Sequence, residues 1–311
     1  MYEKFYGFEE KPFSLLPDPS FLYLGKQHSM AYSMFEYGLL NQAGFTVVSG
    51  EIGCGKTTLI RHLLNQLPMN LTVGLISNTH QSFGQLLQWV LLAFGLDYKG
   101  KENVELHEVF CDFLIKEYAK GRRTVLIIDE AQNLTTETLE ELRMLSNINA
   151  DKYQVLQLIL VGQPQLKQKL SQPELEQFTQ RIAVDYHLRA LSEEETIKYI
   201  GHRVLHAGGS ADLFTVKACK KVYQNTKGTP RLINVLCDTA LVYGYAESAV
   251  QIDERIVNNV IEDKKESLAP RQVAEKENQP EAKDSPALDD SAVMAFAREM
   301  AEEFFSRLRK K

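Results

Sequence analysis

The sequence predicts an α/β fold in which a parallel sheet is sandwiched by helices and followed by a small all-α domain. Three observations carry this expectation. Short β-branched or apolar runs alternate with longer helical stretches up to about residue 190, a glycine-rich loop joins the first run to the next helix, and beyond that point the β signal disappears. With 311 residues, 44% of them hydrophobic and 24% charged, the chain has the profile of a soluble globular protein with a sizeable core.

Residues 1–25 are rich in aromatics and prolines (Phe5, Tyr6, Phe8, Pro12, Phe13, Pro17, Pro19, Phe21, Tyr23), which predicts an extended arm pinned by its rings onto a globular body. Residues 28–40 then have helical spacing. Strands are expected at 45–49, 72–77, 124–128 and 155–161, with helices at 57–67, 81–94, 105–120 and 138–148 between and after them. The first domain therefore spans 1–190 and includes the aromatic arm. From Leu191 on, Ser192 and Glu195 form a capping-box start, and helices are expected at 193–206, 215–226, 231–245 and 253–263, a helical lid domain over 191–263. Residues 264–290 are dominated by charge, Pro, Ala and Gln and predict a disordered linker. Over 291–311, Val293, Phe296, Met300, Phe304 and Leu308 are spaced for one face of an amphipathic helix with a basic end, suited to docking a membrane protein or an anionic leaflet, or to packing on itself.

Composition narrows the setting. The formal net charge of −6 gives no global reason to expect a nucleic-acid coat, although a local basic patch stays open. Cys54, Cys111, Cys219 and Cys237 form no C-x-x-C pair and read as reduced thiols. There is no secretory signal and no apolar run of about 20 residues, so the expected location is cytoplasmic, with any membrane link peripheral.

The loop Gly50 to Thr58, GEIGCGKTT, matches G-x-x-x-x-G-K-[ST] and sits between an apolar strand and a helix, where that pattern cradles phosphates. Gly50, Gly53 and Gly55 let the backbone curl its N–H groups toward phosphate oxygens, and the helix adds the positive end of its dipole. Cys54 reads as a small filler inside the loop, and Thr58 closes the motif. Lys56 supplies a point charge to the β- and γ-phosphates, and the Thr57 hydroxyl can ligate Mg²⁺. ATP and Mg²⁺ are thus the expected cofactors. The run ValLeuIleIleAspGlu places two carboxylates at a strand end: Asp129 for the metal shell, Glu130 to orient or deprotonate an attacking water. Alone such a run is a common strand terminus; its pairing with the phosphate loop favours function.

The order of these motifs with AspGluAlaGln (129–132), GlyGlnPro (162–164), GlnArg (180–181) and GlyThrProArg (228–231) resembles the AAA+ P-loop ATPases related to general secretion pathway protein A, including those of pilus and polysaccharide export systems. TyrGlyPhe and ProPheSerLeu near the start, with ProAspProSerPheLeuTyr after them, strengthen the resemblance, which covers residues 1 to about 263. It implies that Gln163 senses the γ-phosphate, that Arg181 is a finger reaching a neighbouring subunit's nucleotide, and that Arg231 is a second sensor carried by the lid. On the residues alone Gln163 also suits a turn before Pro164, and Arg181 an ordinary surface arginine. The resemblance further implies a homo-oligomeric assembly factor with ATPase activity, whose partners are envelope or inner-membrane export or pilus proteins. Longer members carry a transmembrane span and a peptidoglycan-binding module; neither is legible here, so the short forms are the expected comparison and direct cell-wall binding is not expected. The alternative from another class is an ATP-dependent DNA-binding regulator resembling the transposition ATPases.

Overall fold

A computed structural model describes residues 1–67, 70–77, 85–149 and 154–268. Five strands, β1 (Phe45–Gly50), β2 (Leu71–Ile76), β3 (Arg123–Ile128), β4 (Leu156–Gly162) and β5 (Ile182–Leu188), form one parallel sheet in the order β2-β3-β4-β1-β5. Helices α1 (Tyr2–Tyr6) and α2 (Lys26–Leu40) precede the sheet; α3 (Lys56–Gln66), α4 (Leu86–Ala93), α5 (Asn103–Ala119), α6 (Thr136–Leu145), α7 (Pro164–Leu170) and α8 (Glu176–Thr179) connect its strands. The last four, α9 (Glu193–His206), α10 (Val216–Thr226), α11 (Pro230–Ala246) and α12 (Glu254–Leu268), form the helical part.

Every residue of β1 and β4 is buried, as is all of β3 but Arg123, because helices cover both faces of the sheet. Their sequences are accordingly near-continuous apolar runs. The expectation of four strands misses β5, which pairs with β1 along Phe45–Gly50. As an edge strand β5 buries few of its residues, so Asp185 and His187 interrupt its apolar pattern and mask the β signal. The order of the strands matters for the site: β4 lies between β1 and β3, so the end of β4 is interposed between the loop after β1 and the carboxylates after β3.

The amino-terminal arm also differs from expectation. It opens with a helix, α1, where an extended segment is expected, while its rings do pin it onto the globular body: Tyr2, Phe8, Phe13 and Phe21 are buried in one cluster with Tyr199, Ile200 and Val204 of α9 and with Ile233, Leu236 and Leu241 of α11. Tyr2 hydrogen-bonds Asp238, the Tyr6 hydroxyl donates to Ala249 O at 3.0 Å, and the Phe13 and Phe214 rings meet edge to face at 5.7 Å. A second cluster, centred on β1, β3 and β4, joins α4, α5 and α6 to the sheet. Both clusters fall within one compact unit, Met1–Ser267. Helix α12 continues to Leu268, past the expected linker start; the rest of 264–290, the amphipathic segment 291–311 and part of the helix expected at 81–94 lie outside the described residues.

One polar cluster anchors the outer edge of the sheet. Glu117 on α5 is buried and accepts from Arg122 Nε and Nη2 at 2.5 Å each and from the Thr72 hydroxyl of β2 at 2.6 Å. The Arg122 guanidinium holds its carboxyl down at about 2. A depressed carboxylate stabilises the fold above its ordinary value of 4.5, and that stabilisation is lost as the pH falls from there toward 2. Glu117→Gln is therefore expected to cost about 1–2 kcal/mol at neutral pH, allowing for the solvent that screens Arg122, with the deficit shrinking across that acid window. Thermal unfolding of both forms at neutral and acid pH checks it.

Candidate nucleotide site

The site is assembled at the carboxyl ends of β1, β4 and β3. Strand β1 ends at Gly50, and the chain turns through Gly53 (φ 79°) and Gly55 (φ 95°) before α3 begins at Lys56. Both glycines adopt left-handed backbone, and each also faces a close neighbour: a Cβ at Gly53 would stand 2.6 Å from Arg231 Cβ, and one at Gly55 3.2 Å from His28 Nε2. The first turn of α3 carries N–H groups without intrahelical partners, which is what an anion requires.

Lys56 is 7% exposed, and its ammonium donates to Gly50 O at 2.7 Å and Glu51 O at 3.0 Å. Burial pulls its pKa down, against the pull of nearby Glu130 and Asp129. The Thr57 hydroxyl donates to Asp129 Oδ2 at 2.7 Å, and Asp129 Oδ1 accepts from the Glu130 N–H at 2.9 Å. Burial raises the Asp129 carboxyl, opposed by these two hydrogen bonds. A hydroxyl and a carboxylate held together are hard oxygen donors of the kind magnesium takes, alongside waters and substrate phosphates. Both the donor set and the glycine cradle thus fit a magnesium nucleotide.

Glu130 has φ 53° and ψ 35°, a left-handed conformation that a non-glycine residue holds at a cost of about 1–3 kcal/mol. Its Oε2 accepts from Gln132 Nε2 at 2.6 Å and from Gln163 Nε2 at 3.2 Å. The interposed end of β4 thereby brings Gln163 to the carboxylate.

The helical part closes the cleft from the other side. Pro230 starts α11, and the Arg231 N–H donates to Gly53 O at 3.1 Å, so the second sensor expected from sequence lines the same cleft as Lys56, Thr57 and Glu130. The arm lines it too. Arg61 of α3 donates to Pro17 O at 2.9 Å, Arg203 of α9 to Pro12 O at 2.6 Å, and Asn234 of α11 to Ser14 O at 3.3 Å, while the Arg203 guanidinium lies 4.5 Å from the centre of the Phe21 ring.

Residues 40–170 match a family model described as an AAA domain. Over 253 residues, 81% of the chain, the sequence is 39% identical to general secretion pathway protein A of Aeromonas hydrophila. The chain belongs to the AAA+ family of general secretion pathway protein A. It spans 46% of the length of that relative. Among solved structures, the ORC2 protein of Aeropyrum pernix in its ADPNP–ADP complexes is similar in fold, with a TM-score of 0.57 at 16% identity over 82% of this chain and 72% of that one. Cdc6p of Pyrobaculum aerophilum gives a TM-score of 0.59 at 12% identity, covering 81% of this chain and 70% of that one.

Of the site residues predicted for this family member, Gly53, Gly55, Lys56, Thr57, Thr58, Glu130, Gln163 and Arg231 line one cleft, and Asp129 is joined to it through the Thr57 hydroxyl, whereas Arg181 is not part of it. Exposed at the start of β5, Arg181 donates to Arg143 O at 3.1 Å and Ser146 Oγ at 2.7 Å, and it is not among the residues lining the cleft. The Cys54 side chain is fully buried, and its backbone O accepts from His28 Nε2 at 2.8 Å; a carbonyl can only accept, so Nε2 carries the proton. Burial lowers the His28 pKa, against the opposing pull of the hydrogen bond to Cys54 O and of the Glu195 charge. Sequence reasoning missed His28 and Gln132. Gln132 falls within the AspGluAlaGln tetrad, where residue type alone assigns it no role, and the signal for His28 is a lone polar side chain on the buried face of α2 formed by Ala31, Phe35, Gly38 and Leu39. No helix among the described residues is long and apolar enough to cross a membrane.

Proposed function

We propose that this chain binds ATP with magnesium, hydrolyses it, and acts as an oligomerising assembly factor for an envelope export system. The observation that carries the reading is the joining of Thr57 to Asp129 at 2.7 Å beside the buried Lys56 ammonium, with Glu130 one residue further on. Lys56 binds the β- and γ-phosphates, and Thr57 and Asp129 hold the metal. Bound magnesium supplies positive charge to the phosphates as negative charge shifts toward the leaving group. Glu130 orients the attacking water and accepts its proton, Gln163 senses the γ-phosphate, and Arg231 carries the state of the nucleotide to the helical part.

Arg181 supports the oligomeric half of the proposal. It is exposed and lies outside its own chain's cleft, so its fixed charge is available to the nucleotide of a second copy. The export role rests on the name of the Aeromonas relative, and a pilus or polysaccharide system is the client we favour within it.

The test is phosphate release from MgATP by the purified chain across a range of protein concentrations, beside Arg181→Ala. Activity that rises with concentration and falls at least tenfold in the variant is the expected result. Activity independent of concentration and of Arg181 would remove the shared site. Salt-sensitive, ATP-dependent DNA retardation would instead move the protein to the DNA-regulator class.

A further inference from the structure

The turn after β3 uses both ends of one side-chain amide. Gln132 Nε2 donates to Glu130 Oε2 at 2.6 Å, while Gln132 Oε1 accepts from the backbone N–H of Gln163 at 2.9 Å. The Gln163 side chain reaches the same Glu130 oxygen at 3.2 Å, which closes a ring of three residues drawn from two strand ends. Two further features hold the ring in shape. Gly162 leaves room for it, since a Cβ there would stand 2.9 Å from Gln132 Oε1 and 3.2 Å from Gln132 N. The Lys169 ammonium of α7 donates to Gln132 O at 2.9 Å and also to Leu134 O, tying the turn to the helix that follows β4.

We infer that Gln132 is a positioning residue for hydrolysis: it fixes the direction of the Glu130 carboxylate and couples it to the strand end that carries Gln163. This rests on the reading of Glu130 given under Proposed function. A flexible glutamate samples many rotamers, and a water-orienting carboxylate works only from a narrow range of them. Clamping Oε2 by a donor that is itself anchored to the Gln163 backbone removes that freedom. It also means that a displacement of the β4 end, where the γ-phosphate is sensed, is transmitted to the carboxylate through one amide. Gln132 touches neither phosphate nor water in this scheme, so its loss acts on the chemical step and leaves nucleotide affinity intact.

The test is steady-state and single-turnover hydrolysis by Gln132→Ala, by Gly162→Ala, which keeps all three side chains but crowds Gln132 Oε1, and by Gln132→Ala combined with Glu130→Gln. Gln132→Ala is expected to lower kcat about 10- to 100-fold with KM and MgATP affinity within about twofold of the parent. Gly162→Ala should lower kcat in the same direction. In the Glu130→Gln background, removing Gln132 should lower the single-turnover rate no further, because its effect passes through the carboxylate. Unchanged kcat in Gln132→Ala, equal losses with and without the Glu130 carboxylate, or a loss of MgATP affinity would each overturn the inference. If Glu130→Gln alone turns over normally, the assignment of Glu130 fails and this inference with it. If Glu130→Gln is impaired while Gln132→Ala is not, only the role of Gln132 fails.

Discussion

Lys56→Ala is expected to weaken MgATP binding by about 30-fold or more, the loss that follows when one partner of a buried, hydrogen-bonded charge pair, here the ammonium facing the phosphates, is removed at about 2–5 kcal/mol. The ammonium starts helix α3 and is held on two carbonyls of its own loop, Gly50 and Glu51, so it is positioned before any phosphate arrives. That positioning has an energetic cost, since burial disfavours the charged lysine. Alanine removes the cost together with the charge, and the nucleotide-free variant should therefore unfold close to the parent's temperature. What disappears is the upward shift in unfolding temperature that MgATP produces by binding the folded state. Titration calorimetry and thermal unfolding with and without MgATP measure the two effects. Parental affinity in the variant would remove Lys56, and with it the phosphate loop, from the site.

Glu130→Gln should separate binding from turnover. The substitution preserves shape, and the amide oxygen can still accept from Gln132 and Gln163, so affinity for MgATP is expected to stay within a few-fold of the parent. In the proposed mechanism this removes the proton-accepting group, and the expected fall in turnover is about 10²- to 10⁴-fold. Phosphate release under single-turnover conditions reads the chemical step directly, and the variant should retain bound ATP through gel filtration when the parent has converted it to ADP. Normal single-turnover rates would assign the base to another residue.

How far these sites are legible in a sequence depends on whether their parts are local. Gly50 to Thr58 is contiguous, and Asp129 and Glu130 follow directly on a buried strand, so residue type and position identify them without knowledge of the fold. The inner strands are legible for a related reason: burial on both faces leaves them predominantly apolar. Strand β5 has one covered side, and its polar residues hide it. The ring of Glu130, Gln132 and Gln163 depends on β4 lying beside β3, an adjacency that strand order supplies and residue spacing does not. The destination of the aromatic arm is hidden for the same reason. Its rings announce that something will bury them, but only the fold shows that α9 and α11 do so rather than the sheet.

That destination has a bearing on how the polypeptide acquires its structure during synthesis. The α/β part contains its own hydrophobic cluster and can consolidate as soon as β5 has emerged. Tyr2, however, meets Asp238 only after 236 further positions have been translated, and Phe13 must wait for Phe214. Contacts of such sequence separation close large loops and form slowly. Until the ribosome has delivered α11, the earliest aromatics remain exposed on the nascent chain, and it is in this interval that a chaperone would find its binding site.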